Sequence, residues 1–130
     1  MSKAFYVVTS SRDEFIDITS DVQRMVTEAN VQNGTCTVYV PHTTAGITVN
    51  ENADPDVQHD MLLVLNELIQ WKHPQFRHGE GNSAAHVKAS LMGSSVQVII
   101  SRGRLQLGQW QGLYLCEFDG PRRREVWVTC

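Results

Sequence analysis

The sequence predicts an α+β fold, a mostly antiparallel β-sheet or sandwich with about three helices in a single compact domain. Three observations support this. Short β-branched and aromatic runs recur between turn signals. Three helical patterns stand apart from one another, separated by such runs. No repeat, low-complexity tract or Pro/Gly/Ser linker divides residues 1–130, and Pro41, Pro55, Pro74 and Pro121 all fall where elements would end or begin. With 42% apolar and 19% charged residues the chain suits one buried core, which excludes disordered, collagenous and coiled-coil classes.

Taken in order, Phe5 to Thr9 and Phe15 to Ile18 read as paired strands around a polar turn at Ser10 to Glu14. Ser20 is the expected cap of a first helix, whose apolar positions Val22, Met25, Val26 and Ala29 recur at spacings of three and four, with Asn33-Gly34 as its stop. Thr35 to Val40 is a β-branched strand ended by Pro41, and Ile47 to Val49 is another. Asp54-Pro55 opens a second helix with a capping carboxylate and a first-turn proline, and Val57, Met61, Val64, Leu65 and Leu68 share one face. Between Trp71 and Asn82, prolines, glycines and histidines forbid a regular element, leaving a long loop of the kind that is often functional. Ser83 is expected to cap a short helix over Ala84 to Met92, closed by Gly93. Strands follow at Val96 to Ser101, Gly112 to Phe118 and Glu125 to Thr129, with turns at Arg102-Gly103-Arg104 and Gly120-Pro121.

Eleven Lys and Arg against 14 Asp and Glu leave a net charge of −3, so the whole-molecule field of a general nucleic-acid binder is missing. Apolar stretches such as Met61 to Leu65 and Val96 to Ile100 are far shorter than the roughly 18 residues of a membrane helix. The start has no signal-peptide core. The expectation is therefore a soluble, cytoplasmic protein with no nucleic-acid or membrane partner. Cys36, Cys116 and Cys130 form no Cys-x-x-Cys pair and read as reduced, the first two within core strands.

Three histidines stand near element ends: His42 past a strand, His78 in the long loop, and His86 in the first turn of the next helix. Rigid scaffolds present functional groups at such places, and three neutral imidazoles suffice to hold a divalent metal with a coordination position open. Their spacing matches no standard zinc pattern, so surface or hydrogen-bonded histidines remain the competing reading. His59, beside Asp56 and Asp60, reads as part of a solvated face, and His73 as a loop residue.

The segment holding Thr43, Thr44, Thr48, Asn50, Glu51, Asn52, Asp54, Asp56 and Asp60 is dense in short oxygen-bearing side chains. It could orient ligating imidazoles or hold polar substrate groups, while turns and a helix cap explain Asn50 and Asp54 equally well. In His78-Gly-Glu-Gly-Asn-Ser-Ala-Ala-His86, two glycines allow close approach of the backbone, and the following helix points free N–H groups at a ligand, so Asn82 and Ser83 are anion-binding candidates. The phosphate-loop pattern is absent. Glu80 is the first candidate for a general base and Asp60 the second. Arg122 and Arg124 would share a strand face opposite Arg123. They suit either phosphate, a solvated edge strand, or a subunit contact through Asp119 and Glu117.

Pro41-His-Thr-Thr-Ala-Gly-Ile-Thr-Val-Asn-Glu-Asn-Ala-Asp-Pro-Asp56, followed by the His78 to Gly93 stretch, Gly103-Arg-Leu-Gln-Leu-Gly-Gln-Trp-Gln-Gly112 and Glu117-Phe-Asp-Gly-Pro-Arg122, closely resembles the YjbQ-like family, also called the secondary thiamine-phosphate synthase family. The likeness spans essentially the whole chain. It implies a homotrimer, a metal pocket built from His42, His78 and His86 holding a divalent ion with zinc foremost, and a weak transferase activity. In that reaction a pyrimidine pyrophosphate joins a thiazole phosphate and pyrophosphate is released. Two alternatives use the same residues: a metal- and anion-binding trimeric module without turnover, and a metal-dependent hydrolase with Glu80 as base. Substrate contacts are expected from Thr43, Thr44, Asn52, Asn82, Ser83 and Arg122, with a small phosphorylated metabolite as partner.

Overall fold

Eleven elements follow one another along residues 2–130, the part of the chain described by the computed structural model: β1 (Ser2–Val8), β2 (Glu14–Asp17), α1 (Thr19–Glu28), β3 (Asn33–Tyr39), β4 (Ala45–Glu51), α2 (Pro55–Leu68), α3 (Ser83–Met92), β5 (Ser95–Ser101), β6 (Arg104–Leu105), β7 (Gln111–Glu117) and β8 (Arg123–Thr129). They build two antiparallel sheets, one ordered β1-β8-β3-β5-β6 and one ordered β2-β7-β4. This is the expected α+β architecture.

The period of two along each strand decides the layering. Val126 and Val128 of β8, Cys36 and Val38 of β3, and Val98 and Ile100 of β5 point inward. They meet Ala45 and Ile47 of β4, Leu113 and Leu115 of β7, and the Val22, Met25 and Val26 stripe of α1. The alternate residues of β7, Tyr114 and Cys116, together with Phe118 just beyond the strand, face the other way and form a second core with Leu65 of α2 and Ala85 and Ala89 of α3. The three-stranded sheet is thus the middle layer. Gly46 makes this possible, since a Cβ there would stand 2.8 Å from the Gly93 carbonyl oxygen and 3.0 Å from Met92 Cβ. Lys88 of α3 is fully buried, and its ammonium reaches Asp13 and Asn66, tying the helix to the β1–β2 connection and to α2.

Several local expectations are corrected. β1 and β2 are not a hairpin, because β1 pairs β8 while β2 pairs β7. The polar connection between them crosses from one sheet to the other and is held by Thr9, whose N–H donates to the Arg122 carbonyl at 2.8 Å. α1 begins at Thr19, whose N–H and hydroxyl donate to Asp17; Ser20 lies inside the helix, and Ile18 holds the capping position without a side-chain cap bond. α1 stops through Asn30 in left-handed backbone, leaving Asn33-Gly34 to open β3. Ser83 lies inside α3, Asn82 is the capping position, and no side-chain cap bond is made. On α2 the Asp54 cap is as expected, accepting from Asp56 N–H at 3.0 Å, but Val64 and Leu68 are exposed because α3 covers only the Leu65 side. β8 is an interior strand between β1 and β3, not an edge strand.

Candidate functional site

The end of the sandwich where β3 and β7 finish and β8 begins, opposite the start of α3, carries a cleft of about 680 Å³. Its floor is an ion pair between the sheets. Glu117 continues the inward row of Leu113 and Leu115, and Arg124 continues that of Val126 and Val128, so the two meet where apolar residues stop. Glu117 is fully buried and accepts from Arg124 Nε at 2.9 Å and from its Nη2, and also from Thr9 Oγ1 at 2.8 Å and Phe118 N–H at 3.1 Å. Arg124 Nη2 donates further to Thr44 Oγ1 at 2.8 Å. A buried pair whose remaining lone pairs are satisfied in this way is a rigid base for a site.

Above this floor the cleft gathers His42, His78 and His86 with Glu80, Asn82, Asp119, Arg122, Thr43 and Thr44. Pro41 ends β3 and presents His42, whose Nε2 accepts the Glu125 backbone N–H at 2.9 Å. Burial, reinforced by the positive charge of Arg124, lowers the His42 pKa. His78 sits in the loop after α2, where Gly81 adopts φ 72° and donates its N–H to the His78 carbonyl at 3.1 Å. That turn brings the His78 ring edge-on to His86, with centroids 5.6 Å apart. Asn82 Nδ2 donates to Asp119 Oδ2 at 2.8 Å, and Arg122 Nε and Nη2 donate to the Asp119 carbonyl and carboxylate. Asn82 Oδ1 is buried and, among the described residues, is the one buried side-chain nitrogen or oxygen without a hydrogen-bond partner. Tyr39 and Trp127, paired across β3 and β8, stack at the rim with centroids 5.7 Å apart.

The structure thus brings together most of the candidates named from sequence. Ser83 lies in a hollow adjoining the cleft, beside His78 and His86. Asn52 is at the opposite end of β4, where its N–H donates to the Trp110 carbonyl. Asp60 stands on the exposed side of α2, paired with His59 at 3.0 Å and away from the cleft. Sequence reasoning gave Arg124 to phosphate, a solvated edge strand or a subunit contact, gave Glu117 to that contact, and did not consider Tyr39 or Trp127. The available signal was a charge inside each of two alternating apolar runs, at Glu117 between Cys116 and Phe118 and at Arg124 before Val126 and Val128.

Three imidazoles share one cleft, yet among the described residues no group of three His, Cys, Asp or Glu side chains is placed to hold an ion. His42 Nε2 already accepts an N–H, which puts the proton of the neutral ring on Nδ1 and leaves no free lone pair for a metal. The arrangement in this chain does not fit a three-imidazole centre.

The family model described as UPF0047 protein YjbQ-like matches residues 3–130. UPF0047 protein YugU of Bacillus subtilis (strain 168) is 52% identical over 128 residues, covering 98% of this chain and 97% of its own length. UPF0047 protein YjbQ of Escherichia coli O157:H7 is 33% identical over 131 residues, covering 96% and 87%. Among solved structures, an uncharacterized conserved protein of the yjbq/upf0047 family from Clostridium acetobutylicum superposes with a TM-score of 0.95 at 54% identity, covering 98% of each chain. A conserved hypothetical protein from Thermus thermophilus gives 0.91 at 45%, again covering 98% of each. These descriptions name a family and no reaction, so they lend nothing to the thiamine-phosphate synthase name. The chain belongs to the UPF0047 YjbQ-like family.

Proposed function

We propose that this family member is an anion-recognising small-molecule protein whose cleft binds a phosphorylated metabolite, with transfer chemistry of the weak thiamine-phosphate synthase kind as its catalytic reading. The observation that carries it is the convergence, from separate segments, of three imidazoles and the Arg122 guanidinium beside the uncapped N-terminus of α3. Imidazole N–H groups, a guanidinium fork and helix N–H groups are the donors that phosphate oxygens accept from. The unpartnered Asn82 Oδ1 adds an acceptor suited to a ligand amine or hydroxyl, and the Tyr39–Trp127 stack offers an aromatic wall at the rim.

In the transfer reading, a thiazole ring nitrogen attacks the methylene carbon of the pyrimidine, the carbon–oxygen bond to pyrophosphate breaks, and the thiazolium forms. The nucleophile carries no proton, so no base is needed. Catalysis then consists of holding the two substrates in line and stabilising the leaving pyrophosphate through Arg122, His78 and His86. Hydrolysis of a phosphate ester is the second reading, favoured by Glu80. A carboxylate has no use as a phosphate ligand, but it takes a proton from an attacking water.

The family resemblance carries a homotrimer. Supporting assembly, the outer face of the five-stranded sheet exposes Tyr6, Val8, Tyr39, Ile99 and Trp127, and α2 and α3 expose Leu63, Leu68 and Leu91. No helix among the described residues is long and apolar enough to cross a membrane. Turnover by purified protein over a panel of phosphorylated metabolites, with and without chelator, tests the function. Pyrophosphate release only when pyrimidine and thiazole substrates are both present supports transfer, and orthophosphate release from single substrates supports hydrolysis. Binding without either product leaves the non-catalytic module. Loss of turnover with chelator, restored by zinc, would show that a metal acts in an arrangement other than this one.

A further inference from the structure

We infer that Cys36 and Cys130 form a redox pair, two thiols set across β3 and β8 that an oxidant of the low-molecular-weight disulfide class joins covalently. The register places them together. Val38 is opposite Val128 and Thr37 opposite Thr129, so the next antiparallel step sets Cys36 opposite Cys130. Directly opposed residues of such a pair have Cα atoms about 4.5–5.5 Å apart, within the roughly 4.4–6.8 Å window of disulfides. Both side chains follow the inward row of Val126 and Val128, and Cys130 packs against the core cluster that contains Cys36. Each is a free thiol, and Cys130 is near enough to act electrostatically on the Cys36 thiol. Cys116 lies in the other core beneath the helices, its Sγ 3.7 Å from the Tyr114 carbonyl oxygen.

Exposure sets the order of events. Cys36 is fully buried, whereas Cys130 is half-buried and open to a reagent. Burial and the neighbouring Cys130 push the Cys36 thiol up to about 12, so the first attack falls to Cys130. Its thiolate attacks one sulfur of the reagent, breaking the reagent's S–S bond, and the displaced thiolate takes up a proton. Cys36 then loses its proton and attacks Cys130 Sγ, expelling the second reagent thiolate, which is protonated in turn. Two protein thiols are oxidised by two electrons, and one reagent disulfide is reduced to two thiols. The link ties the end of β8, the strand that carries Arg124, to β3.

The test is incubation of the native full chain with oxidised glutathione, followed by intact mass and non-reducing peptide mapping. The expected product has lost two hydrogens per chain, shows a Cys36–Cys130 cross-link with Cys116 alkylatable after unfolding, and reverts with dithiothreitol. Cys130→Ser should lose the product, and Cys116→Ala should keep it. A lasting glutathione adduct on Cys130 with Cys36 still free, or a disulfide between chains, would overturn the proposal. The map of the unsubstituted protein decides this even if Cys130→Ser fails to fold.

Discussion

Replacing Glu117 with Gln should be among the most damaging single changes this fold admits outside its apolar core. The carboxylate is fully buried and accepts from the Arg124 guanidinium, Thr9 Oγ1 and the N–H groups of Phe118 and Asp119. Gln keeps the shape but removes the charge and turns one acceptor into a donor facing a guanidinium. Arg124, only 4% exposed, is then left without a counter-ion. Breaking one side of a buried pair costs about 3–5 kcal/mol. With an unfolding entropy of about 2.1 cal/mol/K per residue, that lowers the melting temperature of a chain this size by about 10–20 °C. Calorimetry at fixed protein concentration measures the shift. The double variant Glu117→Leu/Arg124→Met, which strands no charge, should regain more than half of the loss. A single-variant shift below about 4 °C, or a double variant as damaged as the single, would refute the view that the stranded charge dominates.

Glu80→Gln separates the two catalytic readings. If the reaction is hydrolytic it should cut turnover by about a hundredfold or more, the contribution typical of a positioned base, and if it is transfer to a proton-free nitrogen, by less than about tenfold. Because the pKa of His42 is lowered in the folded protein, the unfolded chain binds more protons as pH falls below the ordinary histidine value, and stability should decline there and level off below the native value. Urea midpoints from pH 7.5 to 5 should show this slope, and His42→Gln, which keeps an acceptor for the Glu125 N–H, should flatten it. Light scattering should give the mass of three chains, and a single-chain mass at micromolar concentration would remove the assembly.

Most of the architecture was legible because its signals are local. Asp54-Pro55 announces α2 by its cap, Arg102-Gly103 sits in left-handed turn backbone, and the alternation of β8 shows in Val126 and Val128. What was not legible depended on which strands pair. Phe15 and Ile16 read equally well as the partner of β1 or of β7, and only long-range pairing sends them to β7. The same limit governed the site. His42, His78 and His86 were found because element ends mark functional positions, and all three line the cleft. Asp60 and Asn52 were grouped with them by nearness in sequence, whereas β4 carries Asn52 to its far end and α2 turns Asp60 to solvent. The tautomer of His42 lay beyond the sequence because it is fixed by a backbone N–H from Glu125, 83 residues away.

Calorimetric titration of the purified protein with pyrophosphate, compared with Arg122→Ala and His78→Ala, tests the central claim that this cleft recognises phosphate. Saturable binding is expected, weakened at least about tenfold by either change, which corresponds to about 1.4 kcal/mol for the loss of one strong donor. Equal affinity in all three proteins, or no saturable heat in the unsubstituted one, would contradict it.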